Sequence, residues 1–272
     1  MSFSIAGKTA IVTGAANGVG LAVGRHFVAQ GANVIFADMD EDQLSAEMGD
    51  LAAEEGQVRI FAGDLRKKLT IANLLSATIE AFDRVDILVN AARQVMPTDA
   101  LCVEDTSVEE LLEQNVLAGL RLSQAVARRM IKQSENHDEV EDGPASIGSI
   151  VNISSIAARR AQPNLLAYSL STAALEQMTR SLAVAWADKG IRVNAVAFGS
   201  VMSASLRGAL TDDDTLRDTI VDNTPLNRIA GPGEVSDAVQ YLASDAAGFV
   251  TGQVITVDGG RTLIDPADVS AH

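Results

Sequence analysis

Seven short runs rich in valine and isoleucine recur along the chain, each separated from the next by a stretch with helical spacing of apolar residues. The runs are KTAIVTG (8–14), NVIFAD (33–38), QVRIFAG (57–63), VDILVNA (85–91), GSIVNISS (148–155), IRVNAVAF (191–198) and VITVDGG (254–260). Their apolar residues are mostly continuous rather than alternating with polar ones, as expected for strands covered on both faces. Helical patterns fall at 18–30, 41–55, 67–82, 104–133, 167–189 and 234–244. Alternating strand and helix implies parallel pairing with right-handed crossovers. The expected fold is therefore α/β: one doubly wound parallel sheet of about seven strands, with helices on both faces.

At 272 residues, with 47% hydrophobic residues, the chain is long and apolar enough to bury one substantial core and is not disordered. No Pro/Ser-rich linker divides it and no repeat is visible, so residues 1–272 read as one domain. The segment SENHDEVEDGPAS (134–146) reads as an exposed acidic loop. A formal net charge of −15 argues against nucleic acid or an anionic membrane as partner, because both require a basic face. The single cysteine, Cys102, fits a reducing compartment and reads as a small buried hydrophobe. No leader pattern opens the chain and no apolar run approaches the ~18 residues of a membrane span, so a soluble cytoplasmic protein is expected.

TGAANGVG (13–20) lies between the first strand and the first helix. Gly14, Gly18 and Gly20 put no Cβ between the turn and a ligand, so backbone amides and the helix N-terminus can approach a pyrophosphate. The second strand ends in Asp38, about 20 residues further on. A carboxylate there can accept hydrogen bonds from ribose hydroxyls and repel a 2′-phosphate. Asn17 and Met39, where a basic residue would receive that phosphate, are neutral. NAD is thus favoured over NADP, unless Asp38 only starts the following turn.

Together with further motifs, these residues resemble the short-chain dehydrogenase/reductase family over nearly the whole chain. Thr13 to Gly20 match its T-G-x-x-x-G-x-G spacing, and Asp64 in GDL matches the aspartate that meets adenine. NAA, Asn90 to Ala92, stands for its N-A-G segment, and Asn115 for the asparagine that organises a proton-relay water. Ser155, thirteen residues before Tyr168, matches the catalytic serine, and Tyr168 the acid/base tyrosine. The run 224–260 resembles the branch holding 3-oxoacyl reductases and polyol or steroid dehydrogenases. The resemblance implies a Rossmann-like fold. It also implies a cofactor site built from Gly14, Asn17, Gly18, Val19, Gly20, Asp38, Asp64, Leu65, Asn90, Ala91, Tyr168, Gly199, Val201 and Ser203, a substrate loop at 199–232, and a homotetramer formed through segments 104–133, 167–189 and 234–260.

Three positions depart from the family pattern. The lysine four residues after the tyrosine is Thr172, the glycine of N-A-G is Ala92 followed by Arg93, and the proline of the P-G pair after the sixth strand is Phe198 before Gly199. In the family that lysine holds the nicotinamide ribose and helps to acidify the tyrosine, and the P-G pair shapes the nicotinamide pocket. A free phenol ionises near pH ~10, and bringing that to neutrality takes roughly 4 kcal/mol of electrostatic help. Threonine can hydrogen-bond a ribose but brings no charge. No lysine lies in a segment expected at the site. Arg93 either supplies part of the missing charge or faces solvent or substrate, and Arg159 and Arg160 can border the pocket.

The resemblance therefore implies an NAD-dependent oxidoreductase interconverting a secondary alcohol and a ketone. Asn115, Ser155, Tyr168 and Thr172 occupy its four catalytic positions, and its activity is impaired or atypical because of Thr172. The alternative is a dinucleotide-binding pseudoenzyme with a regulatory or structural role. A third reading is a single lysine-to-threonine change in an ordinary enzyme. His26 and His137 read as solvated and His272 as terminal, no cluster has metal-ligand spacing, and the G-x-S-x-G elbow of α/β-hydrolases is missing.

Overall fold

The computed structural model describes residues 2–53, 56–135 and 146–265. The seven expected strands form at β1 (Thr9–Thr13), β2 (Asn33–Asp38), β3 (Val58–Ala62), β4 (Ile87–Asn90), β5 (Gly148–Ser155), β6 (Ile191–Phe198) and β7 (Val254–Val257). They pair in the order β3-β2-β1-β4-β5-β6-β7, every pair parallel. The continuous apolar runs have the burial they require: β1 and β6 are buried at every position.

Successive side chains of a strand point to opposite faces, and each face has its own core. On one face Val12, Phe36, Val89, Val151 and Val196 pack against α1 (Gly18–Ala29) and α9 (Pro232–Ala243). On the other, Ile11, Ile35, Leu88, Ile150 and Val193 pack against α3 (Lys68–Phe82), α5 (Ala118–Ser134) and α6 (Leu166–Trp186). Full burial of each such aliphatic side chain contributes roughly 1.5–3 kcal/mol, so the sheet is anchored from both sides. Helix α2 (Glu41–Ala53) lies between β2 and β3.

The long helix expected at 104–133 starts at Ser107 and is broken into α4 (Ser107–Leu112), a widened π-type turn over Glu113–Leu117, and α5. Asp105 holds its start, accepting a 2.8 Å bond from the Ser107 amide. The 199–232 segment contains two helices, α7 (Ala204–Asp212) and α8 (Asp214–Asp222). Helix α9 begins two residues before the expected 234, with proline in its first turn and Glu234 accepting 2.8 Å from the Gly231 amide. Of the acidic loop expected at 134–146, residues 136–145 lie outside the described residues, as do His137 and His272.

Candidate active site

Parallel pairing brings the C-terminal ends of the strands to one edge, so Thr13, Asp38, Asn90, Ser155 and Phe198 share it. Strand order reverses between β1 and β4, and the crevice at such a reversal is where open α/β sheets take ligands.

The glycine turn is fitted to that crevice. Gly14 has φ +63°, and a Cβ there would stand 2.6 Å from the Ala92 Cα. A Cβ on Gly20 would stand 2.1 Å from the Gly14 carbonyl oxygen. Thr13 Oγ1 accepts 3.1 Å bonds from both the Ala91 and Ala92 amides, bolting the β1 turn to the exit of β4. Gly18, at φ +57°, has no atom within 4 Å of where a Cβ would be, so the outer side of the turn is open beside α1. Asn17 caps α1 with extended backbone and no side-chain bond, which leaves the first helical amides to a ligand. Val19 is buried behind the turn. This cradle fits a dinucleotide pyrophosphate. Ala92 does not have positive φ, so alanine replaces glycine there without backbone strain.

Asp38 is tied to the turn: one carboxylate oxygen accepts 3.0 Å from the Ala16 amide, the other 2.7 Å from Met39. Asp38 thus organises the local turn, and its place at the end of β2 puts it at the crevice. Asp64 is gripped by Arg66 in a bidentate pair (2.9 and 3.0 Å), and this hydrogen bonding holds its carboxyl below the usual range. Leu65, next to it, packs on the core. Asn90 is buried and donates 2.9 Å bonds to Ser123 and Asn152, so its side chain is structural.

Tyr168 lies in the first turn of α6, only 4% exposed. Its hydroxyl is met by Arg93, whose Nη1 donates across 2.6 Å. The same guanidinium lies over the Phe198 ring, 4.3 Å from its centroid, a cation–π geometry. The arginine that follows Ala92 thus rests on Phe198, another departure from the family pattern, and no local sequence signal marks Phe198 as its platform.

The third departure behaves differently from expectation. Thr172 is 3% exposed and its hydroxyl is within reach of two backbone carbonyls of its own helix, Tyr168 (2.9 Å) and Ser169 (3.1 Å). Its single proton is committed to the helix, and only oxygen lone pairs remain for a ribose. A cavity of about 20 Å³ lies among Thr172, Asn115, Arg93 and Tyr168, room for about one water. Asn115 sits in the widened turn, where it accepts 2.8 Å from the Gln94 amide and donates to the Gln94 carbonyl (2.9 Å) and Ser171 (3.1 Å). It clamps the segment that carries Arg93.

Ser155 caps a short turn, accepting 3.2 Å from the Ala157 amide, and shares with Tyr168 a cavity of about 370 Å³. Gly199 borders that cavity; Val201 is buried and bridges to Ala230. Ser203 caps α7, its hydroxyl accepting 3.2 Å from the Leu206 amide. Arg160 lines the cavity and donates to the Thr262 carbonyl. Arg159 turns away to buried Glu176 (3.3 Å). Arg261 joins the lining from beyond β7, a placement with no local sequence signal.

Two expectations are corrected or refined. Cys102 is exposed rather than buried, because it lies in the irregular stretch before α4, away from both cores. His26 is half-buried, 2.5 Å from Gln240 and 3.6 Å from Asp237. Among the described residues no group of three His, Cys, Asp or Glu side chains is arranged to hold a metal, and no helix is long and apolar enough to cross a membrane.

Residues 14–262 match a family model described as enoyl-(acyl carrier protein) reductase. The chain is 34% identical over 266 residues to a cis-4-hydroxycyclohexanecarboxylate dehydrogenase from Sinomonas cyclohexanicum, covering 97% of this chain and 100% of that one. A gluconate 5-dehydrogenase from Burkholderia cenocepacia J2315, solved with NADP and tartrate, superposes with a TM-score of 0.84 at 27% identity, covering 97% and 98% of the two chains. A 7α-hydroxysteroid dehydrogenase solved with NADH and 7-oxo glycochenodeoxycholic acid gives 0.84 at 29% identity, covering 95% of each chain.

Proposed function

Since this chain belongs to the short-chain dehydrogenase/reductase family, we propose that it is an NAD-preferring oxidoreductase interconverting a secondary alcohol and a ketone, with Arg93 standing in for the missing lysine charge. The observation that carries this reading is the 2.6 Å bond from Arg93 to the Tyr168 hydroxyl, in a site that also holds Ser155.

A nicotinamide dinucleotide in the cradle of Gly14, Gly18 and Gly20 would supply or accept the hydride. Tyr168 gives its phenolic proton to the substrate oxygen during reduction and takes it back during oxidation. A guanidinium only donates hydrogen bonds, so Arg93 complements negative charge as it develops on the phenol oxygen. Ser155 orients the substrate oxygen. Asn115 keeps Arg93 in register by clamping Gln94 and borders, with Tyr168 and Thr172, the small cavity in which a water can relay protons. Asp38, fixed against the glycine turn with neutral Asn17 and Met39 beside it, supports NAD over NADP. Since relatives were solved with NADP as well as NADH, the choice rests on this local charge.

The inactive-binder reading has its own support in Thr172, whose proton is spent on the helix. A homotetramer is also part of the proposal, supported by exposed Val184, Phe249 and Leu263 in or beside the segments assigned to subunit contact. A monomeric mass by light scattering at micromolar concentration rejects it.

The test is calorimetric titration with NADH and NADPH, followed by turnover of a panel of secondary alcohols and ketones by the native chain and Arg93→Ala. Expected are NADH binding at least tenfold tighter than NADPH and turnover that falls on loss of Arg93. Binding of neither dinucleotide overturns the enzyme reading; NADH binding with no turnover of any substrate leaves the pseudoenzyme.

A further inference from the structure

The cavity of about 370 Å³ shared by Ser155 and Tyr168 carries Arg160 and Arg261 and not one aspartate or glutamate in its described lining. In a chain with 36 acidic and 21 basic residues this is a local reversal of charge. The rest of its wall mixes the apolar Ile156, Leu165 and Ile264 with the neutral polar Gln162, Ser200 and Asn223.

The two arginines are held on one frame. Asp258 accepts 2.9 Å from the Gly260 amide and 2.8 Å from the Thr262 amide, closing the turn after β7 that presents Arg261. Burial works against the charge on Asp258, but these amide bonds prevail and keep its carboxyl below the usual range. Arg160 donates to the carbonyl of Thr262 in that same turn, so the β5 exit and the β7 exit are joined at the cavity mouth. Arg261 Nη1 donates 3.0 Å to Ser200 Oγ. Among the described residues neither guanidinium is in an ion pair, and each retains further N–H donors in a planar fork that matches a carboxylate.

We infer that the substrate is a small hydroxy or oxo carboxylic acid: its carboxylate lies between Arg160 and Arg261, and its carbinol or carbonyl reaches Ser155 and Tyr168. This deepens the dehydrogenase reading and rests on it. The volume is near the lower end of ligand sites, roughly 300–1,000 Å³, which suits a compact acid. Loss of the charge removes the ionic partner of exposed Arg160 and half-buried Arg261, so a neutral analogue binds more weakly.

The test uses the full chain and a panel of four- to seven-carbon oxo acids, levulinate among them, each beside its methyl ester, which keeps the skeleton and removes the charge. Binding is read by calorimetry with and without saturating NADH. Expected are acids bound at least tenfold tighter than their esters, a preference that weakens with added salt, falls at least tenfold in Arg160→Ala/Arg261→Ala, and partly survives in Arg160→Lys/Arg261→Lys. The Lys pair also guards against misfolding of the Ala pair, and unchanged thermal midpoints are required of both. Equal binding of acid and ester, or a preference untouched in the Ala pair, overturns the inference. Failure to bind NADH while the acid preference persists in the cofactor-free arm strikes the dehydrogenase reading and leaves the carboxylate site standing. A panel in which only phosphorylated ketones bind overturns the carboxylate assignment.

Discussion

The guanidinium of Arg93 donates to the Tyr168 hydroxyl across 2.6 Å while lying 4.3 Å from the centre of the Phe198 ring. Two departures from the family pattern, Phe198 and Thr172, thereby join the arginine that follows a third, Ala92, in one arrangement. Phe198 offers the face, Arg93 brings the charge, and Thr172 withholds a second cation that would repel it.

This arrangement makes the effect of restoring the lysine depend on Arg93. Thr172→Lys in the native background is expected to gain little, since two cations then crowd one phenol. The Arg93→Ala change alone should lower kcat by roughly 10–100-fold, the range of positioned acid–base and charge effects. Combined, the two changes should recover most of that loss. Steady-state rates of the four proteins form a double-mutant cycle, and additive effects refute the idea. Phe198→Ala should lower kcat more modestly, in line with a cation–π contact of about 0.5–2 kcal/mol.

Cofactor choice should hinge on Asp38. Asp38→Ala is expected to weaken NADH by about tenfold and to strengthen NADPH, which corresponds to about 1.4 kcal/mol each way. Calorimetric affinities for both dinucleotides check it. An unchanged preference would mean that Asp38 serves only the turn it also organises.

Two glycines should part company. Gly14→Ala forces a Cβ to within 2.6 Å of the Ala92 backbone at φ +63° and should lower the melting temperature by roughly 4–8 °C. Gly18→Ala meets only open space, so it should cost about 1 kcal/mol of backbone strain while filling the cradle and weakening NADH at least tenfold. Thermal melts and titrations of both variants decide the matter; equal stability losses would show that the turn packs otherwise.

At low pH the start of α9 should loosen. Arg228 (2.8 Å) and then the Gly231 amide (2.8 Å) hold the Glu234 carboxyl down from 4.5 to about 2. A carboxylate lowered in the folded state adds stability above about 4.5 and loses it as pH falls toward 2. Glu234→Gln should therefore melt below the native protein at pH 6, with the gap closing by pH 2. As the pair is well exposed, the gap is small, about 1–3 °C. A gap that does not change with pH contradicts this.

The sequence by itself determined the sheet, because a strand buried on both faces must be apolar at consecutive positions and a crossover helix must show a 3.6-residue stripe; both are local patterns. The glycine turn was legible for the same reason, since its conformation is set within eight residues. Its fit was not, because the Cβ that Gly14 lacks would collide with Ala92, just beyond the end of β4. The break at Glu113–Leu117 that aims Asn115 at Gln94 was hidden too, since a widened turn leaves the apolar stripe almost intact. Only the tertiary structure decided what Arg93 does. Its partner is 75 residues away, and an arginine carries no periodic signal of where its long side chain will reach. The same holds for Arg160 and Arg261, one after β5 and one after β7, which parallel pairing brings to a single edge. Cys102 was misplaced because sulfur chemistry says nothing of where an irregular segment runs. Folding a parallel sheet gathers strand ends from the whole chain, so the edge where the site lies is assembled by long-range pairing that no local window contains.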